Sequence, residues 1–152
     1  MNARNIALVA GFASAAMLAG AFAFQYIGEM APCKMCIWQR WPHGIAFVLG
    51  LVAYLLANRW LYLLGGLVVL AGAGIAFFHA GVERDWWEGP TTCTSQGVGG
   101  LSAADLMDQI MNAPVVRCDD IPWEMLGISM AGWNGLASLA IVGLWLVAFR
   151  KA

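Results

Sequence analysis

Four long stretches of this chain contain no lysine, arginine, aspartate or glutamate, and they constrain the fold more than any other feature. They are 24, 18, 23 and 25 residues long, at positions 5–28, 41–58, 60–82 and 125–149. A helix crosses the hydrocarbon core of a bilayer with about 20 mostly apolar residues. The stretches therefore predict an all-α membrane protein, a four-transmembrane-helix bundle with spans at about 6–27, 41–58, 60–81 and 126–149.

The composition agrees with a lipid environment. The chain has 152 residues, of which 61% are hydrophobic and 11% are charged, whereas soluble domains are about 45–50% apolar and about 25% charged. The length predicts one membrane domain covering 1–152. Because the net charge is −1 and no basic patch is present, nucleic acid is not expected as a partner. The first stretch could be a cleaved signal peptide, but its apolar run exceeds the usual 7–15 residues or so, so a retained helix is expected.

The distribution of cations predicts the orientation. An even number of spans puts both termini on one side, and each side then carries four lysines or arginines. The count alone therefore does not orient the chain. On the side of the termini the four cations lie within a few residues of helix ends, whereas the other side spreads its four over two longer loops. We therefore predict cytoplasmic termini and outward-facing loops at about 28–40 and 82–125.

The long loop contains a signal for a short helix. Ser102, followed three residues later by Asp105, resembles an N-terminal cap, and Pro114 ends the pattern. Four apolar residues between them share one helical face: Leu106, Met107, Ile110 and Met111. This pattern predicts an amphipathic helix that lies flat on the bilayer; the alternative is a small helix that packs on the loop itself.

All four cysteines fall on the predicted outer side. Cys33 and Cys36 form a Cys-x-x-Cys pair where the second span begins, and Cys93 and Cys118 lie in the long loop. The N-terminus of a helix stabilises a thiolate. A Cys93–Cys118 disulfide could take electrons from an external dithiol and pass them to the other pair by thiol–disulfide exchange. The final acceptor would have to be a lipid-soluble two-electron carrier, which fits a quinone.

Three polar residues near the outer ends of the spans are candidates for contact with that acceptor. Arg40 follows Cys36 by four residues, and a cation there is costly unless it has a partner. It could stabilise a thiolate or the charge that grows on the acceptor; alternatively it extends to the lipid headgroups. His79 and Asn134 could bind a quinone carbonyl, or be an interfacial residue and a helix–helix hydrogen bond respectively.

Other interpretations of the four cysteines remain open. A structural zinc site usually pairs two short-spaced ligand couples, whereas 24 residues separate Cys93 from Cys118, so no metal site is predicted. Purely structural disulfides would not explain the Cys33–Cys36 pair, because so small a loop constrains little. A scaffold with a disulfide-stapled outer loop is a further alternative. A protein that exports electrons from the cytoplasm would need cysteines in mid-span, and none lies there.

The motifs together resemble a known family. They comprise Pro32-Cys33-x-x-Cys36 with Gln39-Arg40, Phe78 to Glu83, Trp86-Trp87 before Cys93, and Ser129 to Asn134 opening the last span. Over essentially its whole length the chain resembles the DsbB family, the thiol:quinone oxidoreductases of the bacterial inner membrane, which drive disulfide bond formation. The resemblance implies a multi-pass protein of that membrane.

The resemblance also implies roles for individual residues. Cys93 would be attacked by a DsbA-like periplasmic protein of thioredoxin fold, and Cys118 would resolve that bond and exchange with Cys33. Cys36 would face the quinone, either ubiquinone or menaquinone, and Arg40 would support its binding. The best-known member of the family has glutamate where this chain has Gln39, so Gln39 is given no acid role.

Overall fold

The computed structural model describes residues 1–90, 102–112 and 116–152. Cys93 lies outside these described residues. Within them the chain forms five helices and one two-stranded hairpin: α1 Ala3–Tyr26, α2 Lys34–Leu56, α3 Arg59–Val82, α4 Ala103–Asn112, β1 Glu124–Met125, β2 Ile128–Ser129 and α5 Met130–Arg150.

The four long helices form a closed bundle. Helix α1 packs against α2 and α5, and α3 also packs against α2 and α5. In the described part of the chain, α1, α3 and α5 are long and apolar enough to cross a membrane. Helix α2 has 23 residues, but its first turns carry Gln39, Arg40 and His43, which lower its mean hydropathy. The prediction of a mostly helical membrane protein is thus confirmed, with three candidate spans and a fourth long helix.

Polar contacts fix which helix ends lie together. At one end of the bundle, Arg4 Nε donates a hydrogen bond to the carbonyl of Tyr54 at 2.7 Å, and the Arg59 guanidinium lies 4.7 Å from the centre of the Phe149 ring. These contacts join the start of α1 to the end of α2, and the start of α3 to the end of α5. Both termini therefore lie at the same end, and Cys33 lies at the opposite one.

Small residues bring the helices into close contact. A Cβ on Gly65 would meet the Trp145 ring at 2.6 Å, and one on Gly72 would meet Pro42 at 2.9 Å. Gly74 differs, because its Cβ position faces open space. The closest backbone approach joins α1 to α2, where a Cβ on Gly50 would lie 2.8 Å from the Cα of Gly11.

This approach predicts a loss of stability on substitution within α2. Gly50→Ala is expected to destabilise the protein by about 1–3 kcal/mol, because a methyl group would have to push two backbones apart. Gly44→Ala is the matched control, since nothing lies within 4 Å of its Cβ position and alanine favours a helix interior over glycine by about 1 kcal/mol. The midpoint of thermal unfolding in detergent should therefore fall only for Gly50→Ala. Equal midpoints for the two variants would contradict this packing.

The hairpin before α5 was not predicted. The last span was expected from about 126, but α5 begins at Met130. Leu126 and Gly127 both adopt positive φ angles, of 55° and 72°, and so form the turn between β1 and β2. Ser129 then caps α5, because its Oγ accepts a hydrogen bond from the Gly132 N–H at 3.2 Å.

The helix expected in the long loop is present as α4. It spans Ala103–Asn112, and its Met107 and Met111 side chains are exposed. Whether α4 lies on the bilayer stays a prediction.

Candidate active site

Cys33 and Cys36 meet at the N-terminus of α2. Cys33 is the capping residue, with φ −72° and ψ 170°, and its Sγ accepts a hydrogen bond from the Cys36 N–H at 3.1 Å. The Cys33 S–H in turn points to Cys36 Sγ, with the two sulfurs 2.7 Å apart. The predicted pair is therefore a capping residue and a residue of the first turn, held by two reciprocal hydrogen bonds.

The thiols of Cys33 and Cys36 differ in acidity. Both lie before residue 41, where the second membrane span is predicted to begin. The pKa of Cys36 is lowered, chiefly because the Cys33 S–H donates to its sulfur and more weakly because Arg40 is nearby, while burial and Glu83 oppose this. The pKa of Cys33 is raised, first by its hydrogen bond to Cys36 and then by burial. The geometry thus favours a Cys36 thiolate beside a protonated Cys33.

Cys118 lies against this pair. It is fully buried and shares one apolar cluster with Cys33, Met35 and Val82. Its carbonyl oxygen lies 3.1 Å from His79 Nε2. The structure therefore brings a cysteine of the long loop next to the cysteine that caps α2, whereas Cys93 falls outside the described residues.

His79 faces the cysteines from the end of α3. Its Nδ1 lies 2.8 Å from Gln39 Nε2, and because an amide nitrogen only donates, Nδ1 must accept and the neutral ring carries its proton on Nε2. Nε2 lies 3.6 Å from Cys33 Sγ. His79 thus directs an N–H towards the Cys118 carbonyl and the Cys33 sulfur.

A buried polar network continues from His79 into the bundle. Asn134 Nδ2 donates to Gln39 Oε1 at 2.7 Å, His43 Nε2 lies 2.9 Å from Asn134 Oδ1, and Ser138 Oγ lies 3.5 Å from His43 Nε2. These residues join α2, α3 and α5. The sequence analysis missed the network, although Gln39 and His43 on α2, and Asn134 and Ser138 on α5, are each four residues apart and so share helix faces.

Arg40 lies between α2 and α1. Its Nη1 donates to Gln25 Oε1 at 2.5 Å, and its guanidinium lies 4.9 Å from the centre of the Phe22 ring. Its Nε is buried and has no hydrogen-bond partner within the described residues. Both contacts come from α1, so the charge is held inside the bundle.

Several of the side chains at this site line one cavity of about 370 Å³. Its wall is mostly apolar and comes from α1, α2, α5, the end of α3 and the segments that precede α2 and α5. Seven thiol or polar residues complete it: Cys36, Gln39, Arg40, His43, His79, Glu83 and Asn134. Three of them have buried atoms without a hydrogen-bond partner among the described residues, namely Arg40 Nε, His43 Nδ1 and Glu83 Oε2. Apolar walls with a few unpaired polar atoms are typical of a site for a small, largely apolar ligand.

Cys33, Cys36 and His79 have side chains that can also bind a metal ion. Among the described residues, the ligand atoms of Cys33, Cys36 and His79 lie within 4.8 Å of one another. Two thiolates on a tetrahedral zinc ion are about 3.8 Å apart, given Zn–S bonds of about 2.3 Å, but these sulfurs are 2.7 Å apart. The spacing favours sulfur–sulfur chemistry over metal binding.

Comparison with known proteins agrees with this chemistry. Residues 3–148 match the family model described as disulfide bond formation protein DsbB. A disulfide bond formation protein B from Polaromonas is 32% identical over 97% of this chain and 91% of its own length. Proteins of the same name from Verminephrobacter eiseniae and Azoarcus are 30% and 29% identical over 95% and 99% of this chain, and over 84% and 95% of their own.

No solved structure matches the chain. The family match covers nearly all of the sequence, and the candidate site has a cysteine pair with a third cysteine against it. This chain therefore belongs to the DsbB family of disulfide bond formation proteins and is a membrane disulfide oxidoreductase.

Proposed function

We propose that this protein oxidises a periplasmic dithiol protein of thioredoxin fold and passes the electrons to a membrane quinone. The observation that carries this proposal is the position of Cys36: the more acidic thiol of the pair lines an apolar cavity together with Arg40. A thiolate next to a cation in an apolar site is suited to transfer an electron pair to a neutral, lipid-soluble acceptor.

The cavity fits a quinone head group in size and chemistry. Its volume of about 370 Å³ falls within the range of about 300–1,000 Å³ that is usual for ligand sites. Among the described residues, Arg40 Nε, His43 Nδ1 and Glu83 Oε2 have no hydrogen-bond partner. The Arg40 Nε–H can therefore donate to a quinone oxygen, and the other two atoms can accept from a hydroxyl of the reduced form. A bound quinone would supply an acceptor for two electrons and two protons. Ubiquinone and menaquinone fit this description equally.

The burial of Cys118 and the position of Cys36 support an order for the electron relay. Cys118 packs against Cys33, which supports exchange between these two, and Cys36 is the member of the pair that lines the cavity. We propose that Cys93 exchanges with the external partner, Cys118 with Cys93 and then Cys33, and that Cys36 delivers the electrons. Each exchange is the attack of a thiolate on a disulfide.

We further propose four membrane spans, with the termini in the cytoplasm and the cysteines in the periplasm. Gln39, Arg40 and His43 of α2 line the cavity. The exposed side chains of α2 beyond Pro42 are almost all apolar, including Ile45, Val48, Leu51 and Leu55. Helix α2 therefore presents lipid with an apolar surface even though its mean hydropathy is lower. A periplasmic location of the cysteines suits disulfide chemistry, because that compartment is oxidising.

The proposed function is tested with the purified protein in detergent, a reduced DsbA-like protein and a soluble quinone. We expect the quinone absorbance to fall in proportion to the dithiol protein that is added, and the dithiol protein to emerge oxidised. Omitting either the membrane protein or the dithiol protein should stop the reaction. Quinone loss no faster than in the mixture without the membrane protein would refute the proposal.

Arg40→Ala should weaken use of the quinone. Losing a hydrogen bond from a charged donor costs about 1.5–3 kcal/mol, so we expect the quinone KM to rise by roughly 10- to 100-fold, at about 1.4 kcal/mol per factor of ten. Lys34→Ala is the matched control, because Lys34 is an exposed cation in the first turn of the same helix. Steady-state kinetics at varied quinone concentration check the result; an unchanged KM would mean that Arg40 serves only the packing of α1 on α2.

A further inference from the structure

Glu83 is the acidic residue most completely enclosed by the site. It follows the last residue of α3, and only 2% of its side chain is exposed. Glu83 Oε1 lies 3.8 Å from His79 Nε2, and Ser129 is close enough to the carboxyl group to oppose the rise of its pKa. Its other oxygen, Oε2, has no hydrogen-bond partner among the described residues, and the residue lines the cavity with Cys36. A buried carboxylate oxygen without a partner is costly, so this geometry favours a carboxyl group that carries a proton.

The charges around Glu83 lead to the same conclusion. Burial raises the pKa of Glu83, while Ser129 and the exposed Arg84 oppose that shift. The Glu83 carboxylate in turn raises the pKa of Cys36, since two anions in one cavity repel each other. Arg40 is the one lysine or arginine among the residues that line the cavity. One cation can compensate one anion, so a thiolate on Cys36 favours a protonated Glu83.

Neither His79 nor Gln39 is suited to take up the proton that Cys36 loses when it ionises. His79 Nδ1 accepts a hydrogen bond from Gln39, so the neutral imidazole already holds its proton on Nε2. A second proton, on Nδ1, would break the hydrogen bond from Gln39, because the His79 Nδ1–H and the Gln39 Nε2–H would then both be donors. The Gln39 side-chain amide does not take up a proton near neutral pH. Among the described residues, His43 Nδ1 is a further acceptor without a partner, but a proton there would create a second cation in the cavity wall beside Arg40. Glu83 instead loses a charge when it takes up the proton, which a buried site favours.

Building on the proposed function, we propose that Glu83 stores the proton that Cys36 loses and releases it when the two sulfurs are oxidised. Before oxidation the site holds a Cys33 thiol, a Cys36 thiolate and a Glu83 carboxylic acid. Oxidation forms the Cys33–Cys36 disulfide, and two electrons leave for the quinone. The two accompanying protons come from Cys33 and Glu83, which returns to the carboxylate. Cys33, Cys36 and Glu83 together therefore carry one negative charge before and after oxidation, and Arg40 compensates it in both states.

The storage of the proton can be measured without any quinone. In the quinone-free protein, a water-soluble phosphine reduces the disulfide to two thiols and becomes a phosphine oxide by taking oxygen from water. If Cys36 then ionises, wild type should keep that proton on Glu83, whereas Glu83→Gln must release it to solvent. A pH-sensitive dye should therefore report about one more proton released per molecule of Glu83→Gln. Glu88→Gln, which alters an exposed acid five residues away, should behave as wild type.

Infrared spectroscopy of the wild type gives a second readout that does not depend on folding of the variant. Reduction of Cys33–Cys36 should produce the carbonyl band of a protonated carboxylic acid, and isotopic labelling of glutamate carboxyl carbons should shift it. Equal proton release from wild type and Glu83→Gln, or the absence of the band in wild type, would overturn the role of Glu83. Either result would leave the quinone assay of the wild type intact as a separate test of the proposed function.

The stored proton also predicts a sign for the pH dependence. The pKa of Glu83 is raised in the folded protein, so any stabilisation from its protonated form is complete at low pH and is lost as pH rises through that pKa. In Glu83→Gln this loss should disappear. Removing the carboxylate should also lower the pKa of Cys36, so alkylation of Cys36 should reach its half-maximal rate at lower pH than in wild type.

Discussion

Replacing Cys36 by serine is expected to reduce quinone consumption to the rate of a mixture that lacks the protein. Cys36 is the thiol of the pair that lines the cavity, and its acidity depends on the Cys33 S–H at 2.7 Å and on Arg40. A serine hydroxyl is far less acidic than a thiol and cannot form a disulfide with Cys33. The electron pair would therefore have no route from the sulfurs to the acceptor.

The controls for Cys36→Ser separate chemistry from folding. The substitution is nearly isosteric, so the thermal unfolding midpoint should stay close to that of the wild type. The Cys93–Cys118 disulfide should still exchange with the thiols of the reduced partner protein, which can be followed by trapping mixed disulfides with acid. Quinone consumption at the wild-type rate would refute an electron path through Cys36 and with it the proposed reaction.

The long helices could be predicted because the length of an uncharged run is a local property of the sequence. Positions 5–28 and 60–82 correspond closely to α1 and α3. The predicted start of the last span was wrong for the same reason. Residues 125–129 are uncharged, so the uncharged stretch extended the predicted helix through the hairpin. The turn depends on the positive φ angles of Leu126 and Gly127, and only the glycine gives a hint of them in the sequence.

The site could be predicted only where its residues are close in sequence. Cys33, Cys36 and Arg40 share one helix end, so their proximity follows from helical spacing. The contact between Gln39 and His79 joins residues 40 positions apart, and it depends on how α2 and α3 rotate against each other. That rotation is set by contacts such as Gly72 against Pro42, which no single-helix pattern encodes.

The burial of Glu83 could not be predicted from its place in the sequence. In the sequence it ends the third uncharged stretch and the motif that begins at Phe78. Neither fact predicts its burial, because charged residues at the end of a span usually lie in the headgroup region. In the structure Ser129 contacts its carboxyl group and the cavity reaches it. The burial comes from the hairpin before α5, the element that the sequence analysis missed.

Replacing Cys118 by alanine should trap the protein on its dithiol partner. In the proposed relay, the partner's thiolate attacks Cys93 and the Cys118 thiolate leaves, after which Cys118 exchanges with the Cys33–Cys36 pair. Without Cys118, Cys93 has no disulfide that the reduced partner could attack, but the Cys93 thiolate can attack the disulfide of the oxidised partner when that form is supplied. The resulting mixed disulfide has no resolving thiol on the membrane protein. We expect it to accumulate as a band of higher mass on a non-reducing gel, and catalytic turnover to cease.

Alanine is the informative replacement because Cys118 is fully buried. Serine would bury a hydroxyl group among Cys33, Met35 and Val82, whereas alanine leaves only a small gap that costs on the order of 1 kcal/mol. The band should vanish with reductant and in the double variant that also carries Cys93→Ala. A band that survives loss of Cys93 would move the contact with the partner to another cysteine. Wild-type turnover in Cys118→Ala would show that electrons reach Cys33 directly, in which case the burial of Cys118 against Cys33 would serve packing alone.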